Sequence, residues 1–429
     1  MPGLAAQPES RLHALTRALL LGLIVALLTS CTTAEPSPPP TTGPVSQQAA
    51  TRQADAAALQ SISASIVGRD RTAFNSLVSR RDPGFTATAA RIFDNLTELP
   101  LTSLSLRLSG RQQAVSPQRR LVLTPDARVE QVRVSWRLEG DAGPAEHLLW
   151  FTFLTEGDTS TLAGTTDGPG ERTAQPMWLI DRLGVQQSAH STALVAATGG
   201  NASWVRRGDA AAAAVRSRLK DGLGADWNQR LVLEVPSSRS VFERVLGVTP
   251  GSYASIAAVA WPEGPDPATG AVRIVVNPEL VDRLSAPALA ILLAHEATHV
   301  ATRSAASPAP TWLVEGFADY VAFDSQPEAG SAAAKPLLAE IRRDGLPRAL
   351  PTDAEFTPAA PELNLRYVEA WLACRYLAEQ TSPRALAGFY RRVDAGTAVD
   401  AAARAAFGFG EADLVRGWRS SLRAAAAQG

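Results

Sequence analysis

The chain has 429 residues, 45% of them hydrophobic, and carries 41 Lys and Arg against 42 Asp and Glu, a formal net charge of -1 at pH 7. That length is ample for the cores of two domains. The balanced charge, with no basic block and no interleaving of basic and aromatic residues, argues against a nucleic-acid partner, and two cysteines, Cys31 and Cys374, exclude a disulfide framework.

At the N-terminus, Arg11 and Arg17 precede an uninterrupted apolar run from Ala18 to Leu28, which closes in Leu-Thr-Ser-Cys. The run has the length of a signal-peptide apolar region and is too short for a comfortable membrane span. Residues 1–30 therefore read as a signal peptide. The L-T-S-C stretch resembles the bacterial lipobox, which implies that Cys31 is lipidated and becomes the first residue of the mature protein. The expected location is the cell envelope, anchored to the membrane on its extracytoplasmic side. Acyl chains contribute about 0.8 kcal/mol per buried methylene, so two or more anchor a protein without a transmembrane helix. An uncleaved signal anchor, or cleavage elsewhere, is the competing reading. Residues 31–50 are rich in Pro, Thr and Ser without apolar periodicity and read as a semi-extended tether. If Cys31 is acylated, Cys374 has no partner, and on its apolar helix it reads as an inert buried thiol.

The stretch 51–190 opens with helices: Leu59, Ile62 and Ile66 share one face, and Phe74 and Leu77 continue into a second helix. Strands follow. Val132, Val134, Trp136 and Leu138 alternate with Arg133, Ser135, Arg137 and Glu139, the pattern of a half-buried antiparallel strand, with HLLWFTFL and MWLIDRLGV as its expected neighbours. Helices followed by antiparallel strands resemble NTF2-like domains, which implies a binding or spacer role. His147 and His190, alone among strand-like residues, read as structural.

The Gly-rich stretch ATGGNAS marks the expected passage into a second domain, 191–429. An Ala-rich helix through Val215 and Leu219 precedes the strands RLVLEV, SIAAVAW and VRIVVNP, and then the segment AILLAHEATHVATR. This segment reads as a helix capped by Ser285, with Pro287 tolerated in its opening turn. His295 and His299 lie one turn apart on it, so two imidazoles can hold one metal ion. After the breaker-rich loop SAASPAP, a second helix, for which Thr311 is the expected cap, carries Glu315 and, one turn on, Asp319. Two His and one Glu form one of the open ligand sets of a catalytic zinc, leaving a position for water. Glu296, beside the ligands, is placed to take that water's proton, and Asp319 to accept the free N–H of a ligating imidazole. The bland alternative is an ordinary helix with a charged face.

H-E-A-T-H followed by W-L-V-E-G-F-A-D-Y resembles the gluzincin metallopeptidases, most closely bacterial peptidase MA-like domains. The resemblance covers about residue 190 to the end, including FGFGEADLVRGWRSSL, which is similar to the closing helices of such domains. It implies one zinc per chain held by His295, His299 and Glu315, Glu296 as general base, and Asp319 as the partner of His295. Two departures narrow it. The aminopeptidase signature G-x-M-E-N is absent, and no histidine follows His299: the metzincin third-ligand position holds Ala305. A tyrosine could donate to the oxyanion instead. Tyr367 in RYVEAWLACRYL is the candidate, with Tyr376 as an alternative and Tyr320 less suitable; the structural reading of Tyr367 is core packing.

The expected fold is α+β, an NTF2-like domain followed by a gluzincin-like domain. The expected function is that of a lipid-anchored zinc metallopeptidase acting on a protein or peptide. The alternatives are a zinc-containing binding or assembly lipoprotein without turnover, and an envelope lipoprotein with no metal at all.

Overall fold

The computed structural model describes residues 44–157, 159–170, 173–197, 201–219, 227–324, 326–357 and 360–428. The expected signal peptide, Cys31 and most of the tether lie outside the described residues. Helices α1 (Pro44–Val67), α2 (Arg71–Ser76) and α3 (Pro83–Glu98) come first. On α1, Leu59, Ile62 and Ile66 are buried at the expected spacing. Asp70 and Asp82 cap α2 and α3, accepting from the backbone N–H of Ala73 at 2.9 Å and of Gly84 at 2.9 Å.

Then come β1 (Leu101–Gln113), α4 (Pro117–Val122), β2 (Arg128–Leu138), β3 (Ala145–Glu156) and β4 (Thr159–Gly164). The strands form an antiparallel sheet in the order β1-β2-β3-β4. Val132, Val134, Trp136 and Leu138 are buried while Arg133 and Arg137 are exposed, as the alternation predicts. HLLWFTFL is β3, beside β2, but MWLIDRLGV does not join this sheet. Its first half is helix α5 (Met177–Ile180), and its second half is β5 (Leu183–Gln187), which pairs antiparallel with β6 (Ser191–Ala196) in a second sheet. A short apolar run carries no period that tells helix from strand, and here Pro176 and Asp181 flank one turn of helix. The position between residues 190 and 191, where a domain boundary was expected, falls in the turn of this β5–β6 hairpin.

The second sheet continues through α6 (Asn201–Leu219), β7 (Leu231–Val235), α7 (Arg239–Leu246), β8 (Ala258–Glu263) and β9 (Ala271–Val276). Its order is β5-β6-β7-β9-β8, with β6, β7 and β9 parallel and the two edge strands antiparallel to their neighbours. The rest is helical: α8 (Pro278–Val281), α9 (Ala286–Thr302), α10 (Thr311–Asp324), α11 (Pro327–Asp344), α12 (Leu363–Gln380), α13 (Pro383–Asp394), α14 (Val399–Phe407) and α15 (Glu411–Gln428). The fold is α+β. No helix among the described residues is long and apolar enough to cross a membrane.

The central strands β6, β7 and β9 of the second sheet are buried on both faces, the condition under which strands lose polar alternation and read as apolar runs. Ala193, Val195, Leu231, Leu233 and Ile274 face a core completed by α6, α9, α10 and α12. Leu194, Ala196, Val232 and Val275 face the other way, into a core shared with α1, α3 and the first sheet. From Gln48 to Gly429 the chain accordingly forms one compact unit.

Where the sheets meet, five ionisable side chains are buried together. Arg273 on β9 bonds Asp141, from the β2–β3 turn, with one nitrogen at 2.8 Å, and its Nε lies 2.9 Å from Glu263 of β8. His147 holds Glu263 at 3.4 Å, faces the Ala174 carbonyl through Nδ1 at 3.0 Å and stacks on Trp136. Glu234 on β7 completes the group. Burial, and then the Glu263 charge, push its carboxyl up to about 8, whereas Arg273 and His147 overcome burial to hold Glu263 below the usual carboxylate range.

Candidate metal centre

The Ser285 hydroxyl caps α9 by accepting from Ala288 N–H at 3.4 Å, with Pro287 in the first turn as expected. Leu289, Leu293 and Ala297 press one side of α9 into the core, which leaves His295 and His299 together on another. The start of α10 differs from expectation. Thr311 is its first helical residue rather than its cap: the Pro310 carbonyl accepts from Leu313 and Val314, and the carboxylate of Asp353 accepts from Thr311 N–H at 2.8 Å. A side chain 42 positions away thus satisfies this helix end.

Glu315 faces the histidine pair. Its Oε2 lies 3.3 Å from Nε2 of His295 and 3.4 Å from Nε2 of His299, and the two Nε2 atoms are 2.9 Å apart. Zinc bonds of about 2.0–2.2 Å directed to a tetrahedron place the donors about 3.3–3.6 Å from one another. Two of the three separations match that edge, and the third is a few tenths of an ångström short. Asp319 accepts from Nδ1 of His295 at 2.8 Å, which assigns Nε2 as the nitrogen free for a metal. Nδ1 of His299 is buried with no partner among the described residues.

The electrostatics favour positive charge at the same point. Burial opposes the imidazolium of His295, but Asp319 and Glu315 outweigh it and hold the ring well above its ordinary pKa. Burial also opposes the Glu315 carboxylate, yet His299 and His295 pull it far below the usual range. Two of the three separations, the hydrogen bond on Nδ1 of His295 and the local field suit a divalent cation.

Glu296 is 7% exposed and its Oε2 accepts the backbone N–H of Ala260 at 2.7 Å. Burial raises its pKa, against the pull of the two histidines. Ala260 lies on β8, the edge of the second sheet, and this N–H points away from β9. The geometry that links Glu296 to the strand edge was absent from the sequence reading, because nothing in an alanine announces it.

Tyr367 lies beside the site, its ring centroid 6.5 Å from that of His295, and burial followed by the carboxylates of Glu315, Asp319 and Glu296 raises its pKa, so the phenol keeps its proton. What brings it there is Gly316. A Cβ on Gly316 would sit 2.4 Å from the Ala370 carbonyl oxygen, so only glycine lets α12 approach α10 this closely. Tyr376 lies on another side of α12, against Gly417 of α15, and Tyr320 packs on Phe317 and under Arg218. Neither alternative tyrosine is grouped with the candidate ligands His295, His299 and Glu315. Phe356, from the 3₁₀ turn Asp353–Phe356, meets Tyr367 edge-on at 5.4 Å. That turn, which caps α10 and walls Tyr367, was not singled out from the sequence. Cys374 is fully buried, with its thiol pKa pushed up by burial.

No protein-family model, no curated protein and no solved structure matches this chain.

Proposed function

We propose that this protein is a lipid-anchored, extracytoplasmic zinc metallopeptidase with an NTF2-like N-terminal half and a gluzincin-like C-terminal half. The carrying observation is the convergence of His295, His299 and Glu315 within 4.8 Å of one another, with Glu296 alongside. A zinc ion held by these three residues would lower the pKa of a water toward about 7 and polarise a substrate carbonyl. Asp319 keeps the proton on Nδ1 of His295. Glu296 takes the proton of the attacking water as its oxygen adds to the carbonyl carbon, and returns it to the amide nitrogen as the C–N bond breaks. The Tyr367 hydroxyl donates to the oxyanion that forms. β8 is an edge strand, and backbone groups on its outer side other than the Ala260 N–H, which Glu296 engages, could pair with an extended peptide.

The test is Glu296→Gln. General-base catalysis contributes typically 10²–10⁴-fold, so cleavage of a peptide library should fall by about that factor while bound zinc stays near one per chain. Loss of the metal from this variant would refute the assigned role. Cys31→Ser should release the protein from membranes, and unchanged anchoring would sink the lipidation reading.

One observation favours a second reading, a zinc-binding lipoprotein that turns over no external substrate: the Glu296 carboxylate is already engaged by Ala260 N–H. A zinc-loaded, folded protein that cuts nothing in the library would establish it.

A further inference from the structure

We infer that a small oxyanion, a phosphate or carboxylate group on a soluble molecule, binds in a cavity at the C-terminal end of α9, away from the metal ligands and independently of the proposed peptidase activity. The cavity, of about 230 Å³, is walled by the β2–β3 turn, the starts of β7 and β9, the last turn of α9 and the last turn of α13. It is therefore built from both halves of the chain. Three guanidinium groups line it: Arg230 before β7, Arg303 at the end of α9 and Arg391 on α13.

Two buried donors at this cavity lack acceptors among the described residues, Nε of Arg230 and Nε1 of Trp227. An unpaired buried donor costs about 1–3 kcal/mol, and since neither atom is open to the cavity as it stands, an anion would recover that cost only by drawing the side chain round. Arg230 otherwise has only a 3.4 Å contact with the exposed Glu139. Its side chain lies flat along Gly140, where a Cβ would come within 2.5 Å of Arg230 Cδ. Arg303 bonds the Ala268 carbonyl, and Arg391 is exposed.

The backbone is also unusual here. Of the four non-glycine residues with positive φ among the described residues, two flank the cavity, Gln229 at 63° and Arg303 at 51°. Such conformations cost of order 1–3 kcal/mol and persist where surrounding structure enforces them.

Of the nearby carboxylates, Asp141 is already neutralised by Arg273, Asp394 lines the cavity, and the exposed Glu139 lies 3.4 Å from Arg230. The carbonyl ends of α9 and α13 add a partial negative field of about half a charge each, which basic residues in a last turn commonly offset. Three guanidinium groups exceed that need, and their planar forks suit a carboxylate or phosphate.

The test uses the full chain in non-ionic detergent with a neutral zinc chelator present, so that anions cannot act through a metal. Inorganic phosphate, pyrophosphate and citrate are titrated at constant ionic strength, with chloride as reference, following tryptophan fluorescence and the thermal midpoint. The inference expects a saturable response to at least one oxyanion and a midpoint raised by a few degrees. Pyrophosphate acting more strongly than citrate identifies a phosphate ligand, and the reverse a carboxylate. Arg391→Gln, at an exposed position, should weaken the response roughly tenfold or more, the loss expected for a charge-assisted bond. Arg392→Gln, one residue on and outside the lining, should not. A response identical in Arg391→Gln, or no saturable response to any of the three anions, overturns the inference.

Discussion

The candidate metal centre and the buried cluster around Arg273 are made of the same materials, carboxylates and histidine taken out of water, and they resolve their charge in opposite ways. At the sheet junction the chain supplies its own cation: Arg273 pairs with Asp141 and Glu263, and Glu234, which no second Lys or Arg pairs among the described residues, has its carboxyl pushed up to about 8. At α9 and α10, no Lys or Arg among the described residues pairs with Glu296, Glu315 or Asp319; their partners are imidazoles and a backbone N–H. A cluster closed by its own cation serves to hold two layers together. A cluster left open at three convergent donors could hold an ion.

Breaking each cluster should therefore damage different properties. The largest effect is expected from Arg273→Met, which leaves Asp141 and Glu263 buried without their cation; breaking such a pair costs about 3–5 kcal/mol. Denaturant unfolding should show that loss, with zinc stoichiometry in the surviving folded fraction unchanged. A mild change would mean that water reaches the cluster. Tyr367→Phe should act only on turnover, lowering kcat by the equivalent of about 2.7–4 kcal/mol of barrier, with KM and stability near wild type. A variant defective mainly in thermal stability would return Tyr367 to the core.

Asp319→Asn should weaken zinc binding about 10–100-fold, measured by competition with a chelator, because the imidazole of His295 loses the partner that orients it. Unchanged affinity would show that Asp319 is not needed for the ligand set. The smallest effect sharpens the closed cluster. The folded chain keeps the proton on Glu234 up to about pH 8, while the unfolded chain releases it near 4.5, so this group makes stability decline as pH rises between those values and level off above. Glu234→Gln should flatten the decline in a series of denaturation curves from about pH 5 to 8. An unaltered slope would place the titrating proton elsewhere.

The site was legible in the sequence because its donors lie within two helices whose period fixes which side chains coincide: His295 with His299, and Glu315 with Asp319. The contacts that complete it were not, because they join positions far apart through backbone atoms. Ala260 contributes only its N–H, Asp353 caps a helix 42 residues earlier, and Gly316 acts by what it lacks. The α+β class and most strands were likewise readable. Helix α5 was not, since four apolar residues fit either state, and the sheet that received β5 could not be known before its partner β6 was placed.

The second sheet, apolar on both faces, also sets an order of events for a chain that folds from its N-terminus. The core under the first sheet includes Val232 and Val275, so α1 to β4 emerge with an apolar face whose cover has yet to be made. Until residue 276 is available that face is open to chaperones, proteases and other chains. A chain severed near residue 190 would strand one half with an uncovered floor and the other with an uncovered ceiling. Helix α9 begins ten residues after β9 ends, but Glu315 follows only on α10 and the core beneath them is completed by Trp418, Leu422 and Ala426 of α15, so the candidate donors are fixed last.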